Sequence, residues 1–318
     1  MRLRLFVIAA AAVAVACWGQ SKEVLLLDNW RFQRGSAVGA QVATFDDGGW
    51  EAVTVPHDWA IAGPFDKEID KQVVAIEQNG EKEATEKTGR SGCLPWIGEG
   101  WYRTIITIPE GYSNGELIFD GAMAEPHVWV NGEDVGYWAY GYNVFALDIT
   151  HATGGCKPGK HAVAVHLQNV EESSRWYPGA GIYRPVRLLL HKEKYIKTWS
   201  NFARTMMVGG IASDHATAAE ARLRVSCEAV VSKHDGMSVT QTLRDASNNI
   251  VAQETHYLSD SKTTDITLAV KNAKLWSPEH PYLYTLVTEL KEGGKTWDVV
   301  ETKVGVRDIS YSAEGFKL

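Results

Sequence analysis

The chain has 318 residues, a net charge of −7, 45% hydrophobic and 22% charged residues. That length suits two domains rather than one, and the composition excludes a mainly disordered chain. An acidic balance without a basic stripe excludes nucleic acid as a partner.

Residues 1–20 read as targeting sequence. Arg2 and Arg4 precede the apolar run FVIAAAAVAVA, which is too short to span a bilayer and suits a signal-peptide core. Ala14 and Ala16 frame an A-x-A cleavage site before Cys17. Alternatively, Cys17 is the lipidated first residue of an outer-membrane lipoprotein, although position 14 carries Ala rather than Leu. The expectation is an exported protein, periplasmic or extracellular. Cys93, Cys156 and Cys227 remain after processing. An odd number argues against a full disulfide framework, and without a C-x-x-C pair zinc is not indicated.

From Val24 onward, alternation with period two dominates and helical patterns are scarce. His57-Asp58, in VPHDW, has the residue types of an acid–base pair. Adjacent residues of an extended chain point opposite ways, so a structural turn is the expectation there. Asp66 to Arg90 holds twelve charged residues without a clean period and reads as a solvated surface excursion. A loop of that length is uncommon, and covering a cleft is the alternative. GRSGCLPWIGEGWYR (Gly89 to Arg103) then leads into RTIITIP. In PHVWVNGEDVGYW, Asn131-Gly132 between apolar runs predicts a hairpin. HAVAVHLQ places Val163, Val165 and Leu167 on one strand face.

Ser173 to Pro185, SSRWYPGAGIYRP, has two glycines and two prolines, which exclude a helix, yet carries two arginines, a tryptophan and two tyrosines. Glycines let the backbone turn sharply, while rings and guanidinium groups offer stacking and paired hydrogen bonds. That suits a polyhydroxylated ligand. Equally, the rings could fill the core at sheet edges and the arginines tie loops together.

A boundary is expected near Lys192 to Lys197. Beyond it, ARLRVSCEAVV aligns Leu223, Val225, Cys227 and Ala229, with Cys227 as a small buried hydrophobe, and TDITLAV aligns Ile266, Leu268 and Val270. Turns are expected at Ser247 to Asn249 and Glu292 to Gly294. Short strands with regular turns predict antiparallel sandwiches, the second of immunoglobulin-like size. No G-x-S-x-G elbow, H-E-x-x-H motif or dinucleotide loop occurs. The 39 acidic residues single out no pair held about 5 Å apart, as a retaining glycosidase requires.

A series of ordered segments resembles the N-terminal part of a family 2 glycoside hydrolase of the bacterial β-galactosidase type. They are NWRF (from Asn29), FDDGGWEAVTVPHDWAIAGPF (from Phe45), GEGWYRTIITIP (from Gly98), HVWVNGEDVG (from His127), GYNVFALDIT (from Gly141), NVEESSRWYPGAGIYRPVRL (from Asn169), LWSPEHPYLYTLVTEL (from Leu275) and VGVRDI (from Val304). The resemblance implies an all-β chain: a jelly-roll sugar-binding domain over residues 24–192, then an immunoglobulin-like sandwich over 197–309. It further implies that 310–318 begin a catalytic (β/α)₈ barrel, with Phe316-Lys317-Leu318 as its first, unpaired strand. Such a barrel takes about 250 residues and is missing here. The family's acid/base Glu follows an Asn, and Asn-Glu occurs nowhere in the chain. The resemblance therefore assigns no catalytic residue, no metal and no cofactor to it.

Loops of the family's first domain lean over the barrel mouth, which makes Glu99, Arg175 and Trp176 the candidate substrate-binding residues. Tyr183 and Arg184 are expected to pack the motif onto the sheet. Some relatives place an acidic residue just before the motif's Trp. Here the neighbourhood reads Ser173-Ser174-Arg175, which weakens galactose as the implied sugar. The expected role is that of a non-catalytic region of an exported retaining β-glycosidase, shaping the cleft for a β-linked oligosaccharide or glycoside and bracing the missing barrel. Surface left bare by the missing barrel implies self-association. The alternatives are a stand-alone, lectin-like carbohydrate-binding module, or an adhesion role resting on the immunoglobulin-like half alone.

Overall fold

A computed structural model describes residues 21–62, 71–74, 85–88, 98–170, 177–259 and 262–318. The described chain is all-β apart from a single turn of 3₁₀ helix at Ala60–Ala62. It divides into two compact units, one from Ser21 to Glu193 and the other containing Lys194 to Leu318.

The first unit has twelve strands: β1 Lys22–Leu25, β2 Trp30–Arg34, β3 Glu51–Val53, β4 Lys71–Val74, β5 Thr85–Thr88, β6 Gly98–Ile108, β7 Asn114–Phe119, β8 His127–Val130, β9 Glu133–Tyr137, β10 Phe145–Asp148, β11 Gly159–Asn169 and β12 Val186–His191. Six of them form a sheet in the order β3-β2-β6-β11-β8-β9, and four form a second sheet, β1-β12-β7-β10. Alternation decides which side chains meet between the sheets. Val163, Val165 and Leu167 of β11, Tyr102 and Ile106 of β6 and Val128 and Val130 of β8 pack with Leu117, Phe119, Leu188 and Leu190 in one buried cluster. Within the charged excursion, β4 and β5 pair antiparallel.

The hairpin between β8 and β9 turns at Asn131 (φ 53°) and Gly132 (φ 86°). Both lie in the left-handed region that a two-residue type I′ turn demands. The Asn131 side chain also holds the turn in place: its amide donates to the Ala152 carbonyl at 2.9 Å, and its oxygen accepts from Ala162 N at 3.1 Å.

The outer face of the six-stranded sheet is partly covered. Arg103, 2% exposed, donates to Asp47 Oδ2 at 2.8 Å and to the carbonyls of Ala40, Val42 and Ala43. This guanidinium pins the segment from Ala37 to Trp50 over Trp101 and Ala164, forming a small second core.

The second unit contains β13 Tyr195–Ile196, β14 Phe202–Ile211, β15 Thr217–Val230, β16 Met237–Arg244, β17 Ile250–Tyr257, β18 Thr263–Lys274, β19 Tyr284–Glu292, β20 Lys295–Val304, β21 Ser310–Ser312 and β22 Gly315–Lys317. In one sheet β13, β14 and β18 all pair with β15; the other runs β17-β16-β19-β20. That partition is immunoglobulin-like. Tyr284, at the start of β19, accepts through its hydroxyl from Lys274 N at 2.8 Å, closing the corner between β18 and β19. The turns at 245–249 and 292–295 join β16 to β17 and β19 to β20.

The reading of Phe316-Lys317-Leu318 as an unpaired strand is corrected. Gly315–Lys317 folds back on Ser310–Ser312, with Tyr311 opposite Phe316 and their ring centroids 5.3 Å apart. Gly315 at φ 111° makes the reversal possible.

The interior of the second unit is divided into two apolar clusters, one around Leu223, Leu243 and Leu286, the other around Cys227, Met237 and Leu290. Gln241 stands between Val239 and Leu243 on β16, opposite Thr288 of β19. Thr288 donates to Asn201 Oδ1 at 2.9 Å. Gln241 is 0% exposed, and neither amide atom has a hydrogen-bond partner. A buried unsatisfied polar group costs about 1–3 kcal/mol. Gln241→Met keeps the shape and removes both groups, so chemical denaturation is expected to show a gain of about 1–2 kcal/mol in unfolding free energy.

Candidate functional site

The described part of the glycine-rich motif is tied into the first unit by backbone and side-chain hydrogen bonds. Arg175 and Trp176 lie outside the described residues, as do residues 1–20, 63–70, 75–84 and 89–97, which include Cys93. From Tyr177 onward the motif runs against the VPHDW segment: Trp59 N donates to the Ala180 carbonyl at 2.9 Å, and His57 N to that of Ile182 at 2.8 Å. On its other side Gly181 exchanges both backbone hydrogen bonds with Met123, at 2.8 and 2.9 Å. The motif is thus held from both sides without belonging to a sheet. Gly181 has φ 125°, and a Cβ there would lie 2.5 Å from both the His57 carbonyl oxygen and the Tyr102 hydroxyl. Only glycine fits.

Asp58 locks the two segments together. Its Oδ1 accepts from Ala60 N and Ala180 N, both at 3.0 Å, and its Oδ2 accepts from the Tyr177 hydroxyl at 2.6 Å. Next to it His57 points elsewhere, its Nδ1 lying 2.7 Å from the Tyr102 hydroxyl. Burial pushes the His57 pKa down, opposed by the charges of Glu51 and Asp58. With the imidazole neutral, Tyr102 donates to Nδ1. Burial also raises the Tyr102 phenol well above its ordinary value. Tyr177 is raised too, first by burial and then by its bond to Asp58. His57 and Asp58 therefore serve two different hydrogen-bond systems, and the arrangement positions a loop instead of moving a proton.

Tyr183 donates to the Gly141 carbonyl at 2.8 Å, and the Arg184 guanidinium carbon sits 5.4 Å from the Tyr183 ring centroid. Both residues fasten the far end of the motif. Glu99 stands apart from this cluster. It is the second residue of β6 and, by alternation, faces away from Gly100 and Tyr102, which lie against Trp59 and His57. Glu99 Oε2 lies 2.7 Å from His166 Nε2 on the outer face of the sheet. The structure thus does not bring Glu99 together with Asp58 and Tyr177.

Sequence reasoning missed Asp58 as the anchor. The available signal was its spacing: an Asp accepting from the amide two residues ahead is the Asx pattern of turns. Its second partner, 122 residues away, has no local signature. Among the described residues, no group of three or more His, Cys, Asp or Glu side chains is arranged to hold a metal ion.

Residues 210–307 match the profile of glycosyl hydrolases family 2. A β-galactosidase of Bacteroides ovatus is 30% identical over 298 residues, 91% of this chain and 32% of that protein. Residues 210–307 thus form a glycosyl hydrolase family 2 domain. A putative β-glucuronidase of Formosa agariphila is 29% identical over 92% of this chain and 26% of its own length. The crystal structure of a β-glycosidase from Bacteroides vulgatus superposes with a TM-score of 0.74 at 26% identity, covering 93% of this chain and 35% of that one. The chain thus spans about a third of the length of the relatives it matches, and it is a glycosidase-related domain pair.

Two outcomes follow from the anchor. Asp58→Ala leaves two amides and a hydroxyl without their acceptor and is expected to cost about 3 kcal/mol of stability. Tyr177→Phe is expected to cost about 1 kcal/mol, and the double variant should lose less than the sum, as a double-mutant cycle will show.

The titrating groups also set a pH window. His57 binds its proton less readily folded than unfolded, so its contribution is complete above the unfolded value near 6.5 and declines as the pH falls through it. The tyrosines are raised in the fold, so theirs is complete below the unfolded value near 10 and declines above it. Thermal melts are expected to plateau between about pH 6.5 and 10, with the alkaline slope reduced in Tyr177→Phe.

Proposed function

We propose that this chain forms the wall and brace of a sugar cleft in an exported β-glycosidase, whose reacting carboxylates reside in sequence beyond these 318 residues. The observation that carries the reading is the anchoring of the Tyr177–Ile182 loop by Asp58, which accepts from the Tyr177 hydroxyl and Ala180 N while also accepting from Ala60 N in its own turn. It fixes the chain at Tyr177, the residue that follows Arg175 and Trp176 in the sequence. A fixed loop can hold an aromatic ring and a guanidinium against a substrate with little loss of entropy on binding.

The reaction of the whole protein is then hydrolysis of a β-linked glycoside with retention, by double displacement at the anomeric carbon. The first unit contributes, as a jelly-roll domain, to the walls of the cleft; the immunoglobulin-like unit serves as scaffold. Exposed apolar side chains on the second unit, Phe202 (61%), Met206 (52%) and Tyr311 (80%) among them, support docking against further sequence and self-association when it is absent. The basic start and apolar run of residues 2–16 support export.

The isolated 318-residue chain is expected to give no turnover of 4-nitrophenyl β-galactoside or β-glucuronide, while a chain extended to the relatives' length cleaves at least one β-glycoside. Hydrolysis that copurifies with the short chain and scales with its concentration would overturn the reading.

A further inference from the structure

The outer face of the six-stranded sheet carries a feature that the cleft does not use. Trp101 on β6 is the register partner of His166 on β11, His166 of His127 on β8, and His127 of Tyr137 on β9. Four ring-bearing residues therefore stand side by side across four strands. They alternate with Tyr102, Val165 and Val128, which face the core. Trp129, two residues beyond His127, stacks on it with centroids 4.1 Å apart and on Trp101 at 5.4 Å; His166 lies 4.7 Å from Trp101. The row is closed at one end and open at the other: Trp101 is 9% exposed beneath the segment pinned by Arg103, whereas Tyr137 is 50% exposed.

Both imidazoles are held by a carboxylate. His166 Nε2 lies 2.7 Å from Glu99 Oε2, and His127 Nε2 lies 2.7 Å from Asp134 Oδ2. These bonds fix the ring planes and leave each carboxylate further acceptor capacity.

We infer that the open end of this row, Tyr137, His127 and Trp129 with Asp134 and Glu99 beside them, is a surface binding site for a neutral β-linked oligosaccharide. It lies on the opposite face of the sheet from the Asp58 loop. A sugar ring has a flat apolar face that rings accept and a rim of hydroxyls that carboxylates accept. The cores of protein–protein interfaces are depleted in acidic residues, and here two stand within the row. An acidic polymer is disfavoured by Glu99, Asp134 and the net charge of −7. The choice of a β-linked ligand rests on the function proposed above; the site itself rests on the row.

The test is calorimetric titration of the 318-residue chain with cellohexaose and β-1,4-galactohexaose, with maltohexaose as the α-linked control. Saturable heat is expected with at least one β-linked hexaose. Tyr137→Ala and His127→Ala should each weaken it at least about tenfold, with melting temperatures close to that of the parent chain. Tyr257→Ala, at an exposed ring in the second unit (73%), should leave it unchanged. Absence of heat with both β-linked hexaoses overturns the inference, as does binding undiminished in the Tyr137→Ala, His127→Ala double variant. Binding lost in Asp58→Ala but kept in Tyr137→Ala places the ligand at the motif loop, which overturns this site and leaves the proposed function standing. If Tyr137→Ala instead abolishes self-association in sedimentation and no sugar binds, the row is a protein interface and the inference fails.

Discussion

One carboxylate sets the geometry on which the first unit's loops depend. A glycine-rich segment outside any sheet has no ladder to satisfy its backbone and loses much entropy on ordering. Asp58 supplies that order by accepting from its own turn, from Ala180 and from the Tyr177 hydroxyl. The bond to Tyr177 is short and partly buried, and a charged acceptor strengthens each of the three. The exchange with Met123 then closes the other side. Loop order here comes from a local side-chain network, which holds the Tyr177 ring by its hydroxyl while the ring packs against the core.

Strand β6 shows how much two-sided demand a single element can carry. Its inward residues, Gly100 and Tyr102, make room for Trp59 and bond to His57. Its outward residues, Glu99, Trp101 and Arg103, pair with His166, join the aromatic row and pin the Ala37–Trp50 segment. The strand consequently reads as almost continuously buried from Gly100 to Thr104, although only alternate residues belong to the main core.

The alternation of HAVAVHLQ and ARLRVSCEAVV was legible because burial on one face writes a period of two into the residues themselves. Asn131-Gly132 was legible because few residue pairs tolerate two consecutive left-handed conformations. The motif at Tyr177 was recognisable as a loop from its glycines and prolines. What joins distant strands was not legible. Glu99 is a candidate ligand contact from its place in a glycine-rich stretch, but its bond to His166 depends on the β6–β11 register, which no local pattern marks. The aromatic row has the same cause: its members are scattered from residue 101 to residue 166, and no local pattern marks them as neighbours. The final hairpin was missed because the resemblance supplied a strand with its partner elsewhere, while residues 312–315 provide a turn close at hand.

Sugar selectivity does not follow from the shared fold. Relatives named β-galactosidase and β-glucuronidase both match about nine-tenths of this chain. The two sugars in those names differ in the configuration at C4 and by a carboxylate at C6, so a site that separates them reads the direction of one hydroxyl, the presence of a charge, or both. A sandwich shared by bearers of both names cannot make that distinction through its fold. Nor can the Asp58 anchor, whose acceptors are already committed to the loop. Under the function proposed above, selectivity therefore falls to individual side chains rather than to the sandwich, and to the two-thirds of the relatives' length that this chain does not span.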